Sequence, residues 1–161
     1  MDIIDNFLDK DTFIKFAGGV MQLPWFYSPT KTTALGHSET WNQQMSHSFY
    51  YNGKAESEHT HLLKPFNDFF MPNKYLRVKA NLTMPTSKIH AFDMHNDCGN
   101  DMPYKTAIFY LNNNDGKTVF ETNEEIESIE NRLVIFDGRI THAGTTHTNK
   151  KFRCVINFNW T

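Results

Sequence analysis

The sequence predicts a mainly β, α+β domain built as a double-stranded β-helix: a jelly-roll, cupin-like barrel flanked by N-terminal helices. Three observations predict it. Helical periodicity is confined to stretches before Pro72. From Tyr75 onward, short apolar runs alternate with turn signals at the spacing of a barrel or sandwich. Aromatic residues make up 14% of the chain, 14 of them Phe, enough to fill a closed interior. At 161 residues the chain is expected to be a single domain, with 1–73 as helical and loop support and 74–161 as the core.

Each element follows from local chemistry. Residues 1–24 read as a short strand or turn and then a helix. Asp9 or Asp11 can cap it, and Phe13, Phe16, Ala17 and Val20 share a face. Gly18-Gly19 weakens its end and Pro24 forbids continuation. Trp25-Phe26-Tyr27 is an extended aromatic segment, and Ser28 to Met45 reads as a long polar loop. Ser48 to Tyr51 is a strand stopped by Asn52-Gly53. Ser57 to Phe70 is one helix or two short ones, capped by Ser57 and interrupted by Pro65. His59 and His61 diverge on such a helix and are expected on a solvated face.

Tyr75 to Leu82 alternates, with Leu76, Val78, Ala80 and Leu82 on one face and Arg77, Lys79 and Asn81 on the other, which is either solvated or lines a polar cavity. Lys88 to Asp93 is expected as a short strand, and Asp97 to Tyr104 as a loop. Lys105 to Leu111, Thr118 to Glu121, Ile126 to Ile129, Leu133 to Phe136 and Phe152 to Trp160 complete the strands. Asn112 to Gly116 and Asp137-Gly138 are turns between them.

Bulk properties argue against several classes. Lys plus Arg is 16 against 18 Asp plus Glu, so no basic excess points to nucleic acid. No apolar run approaches a membrane span, and the N-terminus lacks the pattern of a signal peptide. Cys98 and Cys154 are too few for a disulfide framework. A cytoplasmic protein without a membrane or nucleic-acid partner is expected, acting on a small molecule or peptide.

The chemistry gathers at His95-Asn96-Asp97. On an extended chain, residues two apart point the same way, so this segment offers a metal one imidazole nitrogen and one carboxylate oxygen. A second histidine from a distant strand would complete a two-histidine, one-carboxylate facial set. With 8 histidines in the chain, H-x-D by itself is a common chance pattern. His90 with Asp93 is the rival pair, but its spacing of three does not converge on a strand.

Further features follow in a fixed order. Thr106 to Asn112 ends in Tyr110-Leu111-Asn112. Gly116-Lys117-Thr118-Val119-Phe120 comes next, then Asn131 to Asp137, His142-Ala143-Gly144, and Arg153. This ordered set resembles the prolyl-4-hydroxylase-like branch of the 2-oxoglutarate- and iron(II)-dependent dioxygenases, especially its short members from bacterial viruses. The resemblance covers residues 74–161 well and the N-terminal half in outline. One departure is that the usual double glycine before Thr-x-Phe is reduced to Asp115-Gly116-Lys117. Far from the ligands in sequence, it is expected to affect loop shape more than catalysis.

The resemblance implies that His95, Asp97 and His142 hold iron(II) as the catalytic and metal set. It implies that Arg153 receives the far carboxylate of 2-oxoglutarate through its planar fork. Tyr110 matches a position that adds a hydroxyl to the same carboxylate. Period two along the last strand places Asn157 with Arg153, Val155 and Asn159, as a contact to the cosubstrate or to the ligands. The activity implied is hydroxylation of a C–H bond with iron(II), 2-oxoglutarate and O₂, releasing succinate and carbon dioxide. A prolyl or other amino-acid side chain is the analogous substrate, with contacts expected from Ser28–Met45, the 98–104 loop, Arg77 and Lys79. Two alternatives remain: a non-catalytic cupin-like metal- or ligand-binding module, and a cupin-type metal-dependent hydrolase or isomerase. Neither would bind 2-oxoglutarate.

Overall fold

A computed structural model describes residues 1–30, 41–99 and 101–161. The elements run in the order β1 (Asp2–Ile4), α1 (Lys10–Met21), β2 (Phe26–Ser28), β3 (Gln44–Tyr51) and β4 (Lys54–Ala55). A 3₁₀ segment, Glu58–Leu63, then leads into α2 (Lys64–Phe70). The strands β5 (Tyr75–Thr83), β6 (Lys105–Tyr110), β7 (Lys117–Phe120), β8 (Glu125–Glu127), β9 (Arg132–Asp137), β10 (His142–Gly144) and β11 (Arg153–Trp160) follow. Antiparallel strands form a large sheet in the order β1-β9-β6-β11-β5-β3-β2, with β4 on β3, and a small sheet β10-β7-β8. This is the expected jelly roll with few helices. Because β1, β2 and β3 belong to the large sheet, the first 73 residues supply strands as well as helical support.

Asp9 caps α1 by accepting from the Thr12 N–H, and Phe13, Phe16 and Val20 turn inward as their spacing requires. The helix runs through Gly18-Gly19 to Met21, since its buried face outweighs the weak propensity of two glycines. Ser57 caps the 3₁₀ segment through the His59 N–H. β3 begins at Gln44, inside the stretch that reads as loop. Its alternate polar residues face away from the core, which hides the strand from a reading based on hydrophobicity.

The large sheet is covered on both faces. Ala107, Phe109 and Leu111 from β6 and its exit, Cys154, Ile156 and Phe158 from β11, and Val78, Ala80 and Leu82 from β5 meet the helices. Phe109 sits at the centre, within 6.2 Å of the Phe7, Phe13, Phe16 and Phe66 ring centroids. The opposite face carries Ile108, Tyr110 and Val155, which pack with Phe120, Ile126, Val134 and Phe136 to close the barrel. Burial on both faces explains why β6 reads as a strongly apolar run. At the start of β5 a register shift pairs Trp160 with Tyr75 and Asn159 with Arg77. Tyr75 therefore takes the buried place expected of Leu76.

The strand expected over Lys88–Asp93 is not regular. Two isolated bridges, Ala91 to Thr145 and His95 to His142, tie it and the residues after it to the β10 segment in place of a continuous ladder. Phe92 donates to the Gly144 carbonyl, while His95 and His142 exchange both backbone bonds. Three steps from Phe92 to His95 thus span two from Gly144 to His142, a β-bulge at Asp93–Met94. Among the described residues no helix is long and apolar enough to cross a membrane, and both cysteines are free.

Candidate metal centre and its cavity

The bulge leaves His95 directly opposite His142, so both rings face the same side, with centroids 5.3 Å apart. Asp97, two residues on, turns to that side as strand parity predicts. Ligand atoms of His95, Asp97 and His142 all lie within 4.8 Å of one another, the one such group of His, Cys, Asp or Glu among the described residues.

Hydrogen bonds fix how each presents itself. His95 Nδ1 lies 2.8 Å from the Asp93 carbonyl and His142 Nδ1 lies 3.2 Å from the Ile140 carbonyl. A carbonyl only accepts, so each Nδ1 carries the hydrogen and each Nε2 lone pair is free for a metal. His142 Nε2 is buried with no hydrogen-bond partner among the described residues. Asp97, its side chain fully buried, accepts from Arg77 Nη2 at 2.5 Å on Oδ1 and from Asn159 Nδ2 at 3.0 Å on Oδ2. Burial alone would raise its pKa. Arg77, His142, the Asn159 hydrogen bond and His95 outweigh that and hold it below the usual carboxylate range. Burial pushes the His142 pKa down against the pull of Asp97, which favours the neutral, ligating form. Two imidazole lone pairs and one carboxylate, with one orphaned buried nitrogen, fit a divalent transition metal.

The same residues line a cavity of about 440 Å³ between the sheets, together with Gln44, Arg77, Lys79, Asn81, Thr118, Arg153 and Asn157. Arg153 is 4% exposed. It donates through Nε to Ser128 Oγ at 3.0 Å and through Nη2 to Thr118 Oγ1 and the Lys117 carbonyl, both at 3.4 Å. These partners are neutral. A buried guanidinium with no ion pair among the described residues is costly, so it marks a place for a carboxylate or similar group.

No family model and no curated protein sequence matches the chain. Solved structures do. A 2OG-Fe(II) oxygenase family oxidoreductase from Burkholderia pseudomallei superposes with a TM-score of 0.72 at 13% identity, covering 99% of this chain and 84% of that one. A Trichoplax adhaerens prolyl hydroxylase, in complex with a peptide fragment of hypoxia inducible factor, gives 0.63 at 15%, covering 99% and 82%. HygX from Streptomyces hygroscopicus, with nickel and 2-oxoglutarate bound, gives 0.58 at 12%, covering 98% and 81%. The fold is that of the 2-oxoglutarate and iron(II) oxygenases.

Within this oxygenase fold the remaining residues take definite places. Tyr110 is fully buried under Arg153, its ring centroid 5.8 Å from the guanidinium carbon, and its hydroxyl donates to Thr118 Oγ1 at 2.8 Å. Thr118 thus stands between Tyr110 and the cavity. Asn157 lines the cavity, with a buried Oδ1 that lacks a partner among the described residues. His90 stacks on Trp41, with ring centroids 4.4 Å apart, and is not brought to the centre. His59 and His61 join no metal group; His61 is exposed and His59 partly so.

Arg77, Lys79 and Asn81 line the cavity rather than facing solvent. Of the polar 28–45 stretch, Gln44 reaches it, and residues 31–40 lie outside the described residues. The described part of the 98–104 loop does not line it; Tyr104 pins that loop by accepting from the Cys98 N–H at 3.1 Å. The Asp115-Gly116-Lys117 turn, distant from the ligands in sequence, packs on the guanidinium stem. A Cβ on Gly116 would lie 2.8 Å from Arg153 Cδ and 3.0 Å from the Thr146 carbonyl. Sequence reasoning missed Thr118 and Ser128 as partners of Arg153 and Asn159 as the holder of Asp97. Of these, the shared face of Asn159 with Arg153 was the available signal.

Proposed function

We propose that this protein is a 2-oxoglutarate- and iron(II)-dependent dioxygenase that hydroxylates a C–H bond of a small-molecule or peptide substrate. The whole chain acts as one oxygenase domain. The observation that carries the proposal is a buried Arg153 that has no ion pair with any described residue and shares its cavity with two free imidazole Nε2 atoms and a carboxylate. A structural metal site has no use for such a cation, which disfavours the non-catalytic module.

Iron(II) held by His95, Asp97 and His142, with 2-oxoglutarate and O₂, would supply oxidation of an unactivated C–H bond with release of succinate and carbon dioxide. The chain's own residues do the rest. The carbonyls of Asp93 and Ile140 keep the imidazoles in the ligating tautomer. Asn159 fixes the rotation of the Asp97 carboxylate. Arg153 receives the far carboxylate of the cosubstrate, and Ser128, Thr118 and Tyr110 hold that guanidinium in place. Ile108 and Val155 give the cavity apolar walls that limit water. Asn157 offers an amide to cosubstrate or substrate.

An anaerobic titration of iron(II)-loaded protein with 2-oxoglutarate tests this, following the weak visible charge-transfer band of a chelated keto acid. A saturable band is expected, absent in Asp97→Ala and shifted to about tenfold higher 2-oxoglutarate or beyond in Arg153→Ala. No band in the wild-type protein would overturn the reading.

A further inference from the structure

Lys79 is the cavity cation that neither the metal ligands nor the cosubstrate clamp employs. It sits in the middle of β5, which is flanked by β3 on one side and β11 on the other, opposite Ser48 and Asn157. Its side chain therefore rises from an enclosed part of the sheet into the cavity and is partly buried. It makes no hydrogen bond or ion pair with any described residue, whereas its neighbour Arg77 is engaged with Asp97. A partly desolvated ammonium without a partner costs stability, and an arriving anion offsets that cost.

Register shows which part of the cavity it serves. Arg77 pairs with Asn159, the residue that holds Asp97; Lys79 pairs with Asn157; Thr83 pairs with Arg153. Lys79 is two residues from the metal end and four from the row of Arg153, about 13 Å along the strand from that row. An anion on Lys79 is thus set beside the metal ligands and apart from the cosubstrate's far carboxylate. The charges agree. Summed over the lining, a divalent metal, Arg77, Lys79 and Arg153 stand against Asp93, Asp97 and a dicarboxylate cosubstrate, which leaves one positive charge over. One uncompensated positive charge calls for a monoanion, a carboxylate rather than a phosphate.

We propose that Lys79, with Asn157 beside it, receives a carboxylate of the molecule that is hydroxylated, so that the primary substrate is a carboxylic acid. This rests on the oxygenase reading of the same cavity. It places a free acid, such as an amino or keto acid, ahead of a neutral residue inside a peptide chain.

The test uses zinc-loaded protein saturated with 2-oxoglutarate, zinc being diamagnetic and redox-inert. Amide-resolved NMR follows titration with sodium benzoate and, separately, with benzamide as its neutral counterpart. Benzoate is expected to shift the amides around Lys79 and Asn157 saturably, and benzamide is not. Lys79→Met keeps the aliphatic stem and should weaken benzoate by about tenfold, while Lys79→Arg retains it and 2-oxoglutarate affinity stays unchanged in both. An equal response to benzamide, or a benzoate response that survives Lys79→Met, overturns the proposal. So does a comparable loss of 2-oxoglutarate affinity in Lys79→Met, which would assign Lys79 to the cosubstrate. If 2-oxoglutarate itself leaves the wild-type spectrum unmoved, the oxygenase reading fails and the substrate assignment falls with it, an outcome separate from loss of the benzoate response alone.

Discussion

Asp97 is held from two strands, by Arg77 of β5 on one oxygen and Asn159 of β11 on the other. Asn159 also donates to Thr106 Oγ1 at 2.9 Å, so its amide is locked before it meets the carboxylate. Such outer partners orient a ligand as surely as backbone does. Asn159→Ala should therefore weaken Mn²⁺ binding by about 10–100-fold with little change in secondary structure, measured by calorimetric titration. Unchanged affinity would show that Arg77 alone suffices to hold the carboxylate. The grouping of the candidate ligands was readable from the chain. Two-residue parity carries His95 and Asp97, and the ordered motifs bring His142 and Arg153. The partners were not, because Thr118, Ser128 and Asn159 are joined to the site by strand register, which no local pattern records.

At the scale of elements, the bulge and one turn do most of the positioning. Strand alternation predicts regular pairing through Lys88–Asp93 and cannot show the extra residue at Asp93–Met94 that lets Phe92 and His95 both oppose residues on one face of β10. β3 was half hidden for a related reason: a strand whose second face looks into a polar cavity has the composition of a loop. The turn before β7 is the second device. Gly116 lets the chain pass against Arg153 where any Cβ would collide with the guanidinium stem, the Asn114 side chain or the Thr146 carbonyl. Its consequence is specific to one ligand. Gly116→Ala should weaken 2-oxoglutarate by about tenfold while leaving Mn²⁺ affinity unchanged, since the clamp moves and the three ligands do not. Equal loss of both would mean that the substitution disturbs the barrel as a whole.

Across the whole molecule the large sheet divides the labour: one face is sealed by aromatics of the helices, and the other is left polar enough to hold charge. Alternation in β5 put Arg77, Lys79 and Asn81 on one face but left open whether that face is solvated or lines a cavity, and they line the cavity. The polar interior has a cost that pH exposes. His147, in the segment between β10 and β11, is fully buried, and its Nε2 lies 3.2 Å from the Lys150 carbonyl while Nδ1 finds no partner among the described residues. Burial pushes its pKa down, the Lys150 carbonyl raises it, Arg153 lowers it and Asp115 raises it, with a net fall below the ordinary histidine value. Below pH of about 6.5 the unfolded chain then binds a proton that the folded one resists, so stability is full above that pH and declines as pH falls through it. His142, also held low, acts in the same window, whereas Asp97, held below the usual carboxylate range, adds its part only as pH falls below about 4. The melting temperature of metal-free protein should therefore drop between pH of about 7.5 and about 5, and His147→Phe should make that drop smaller without abolishing it. A drop of the same size in the variant would show that His147 is protonated in the folded protein, and that the acid sensitivity in this range belongs to His142.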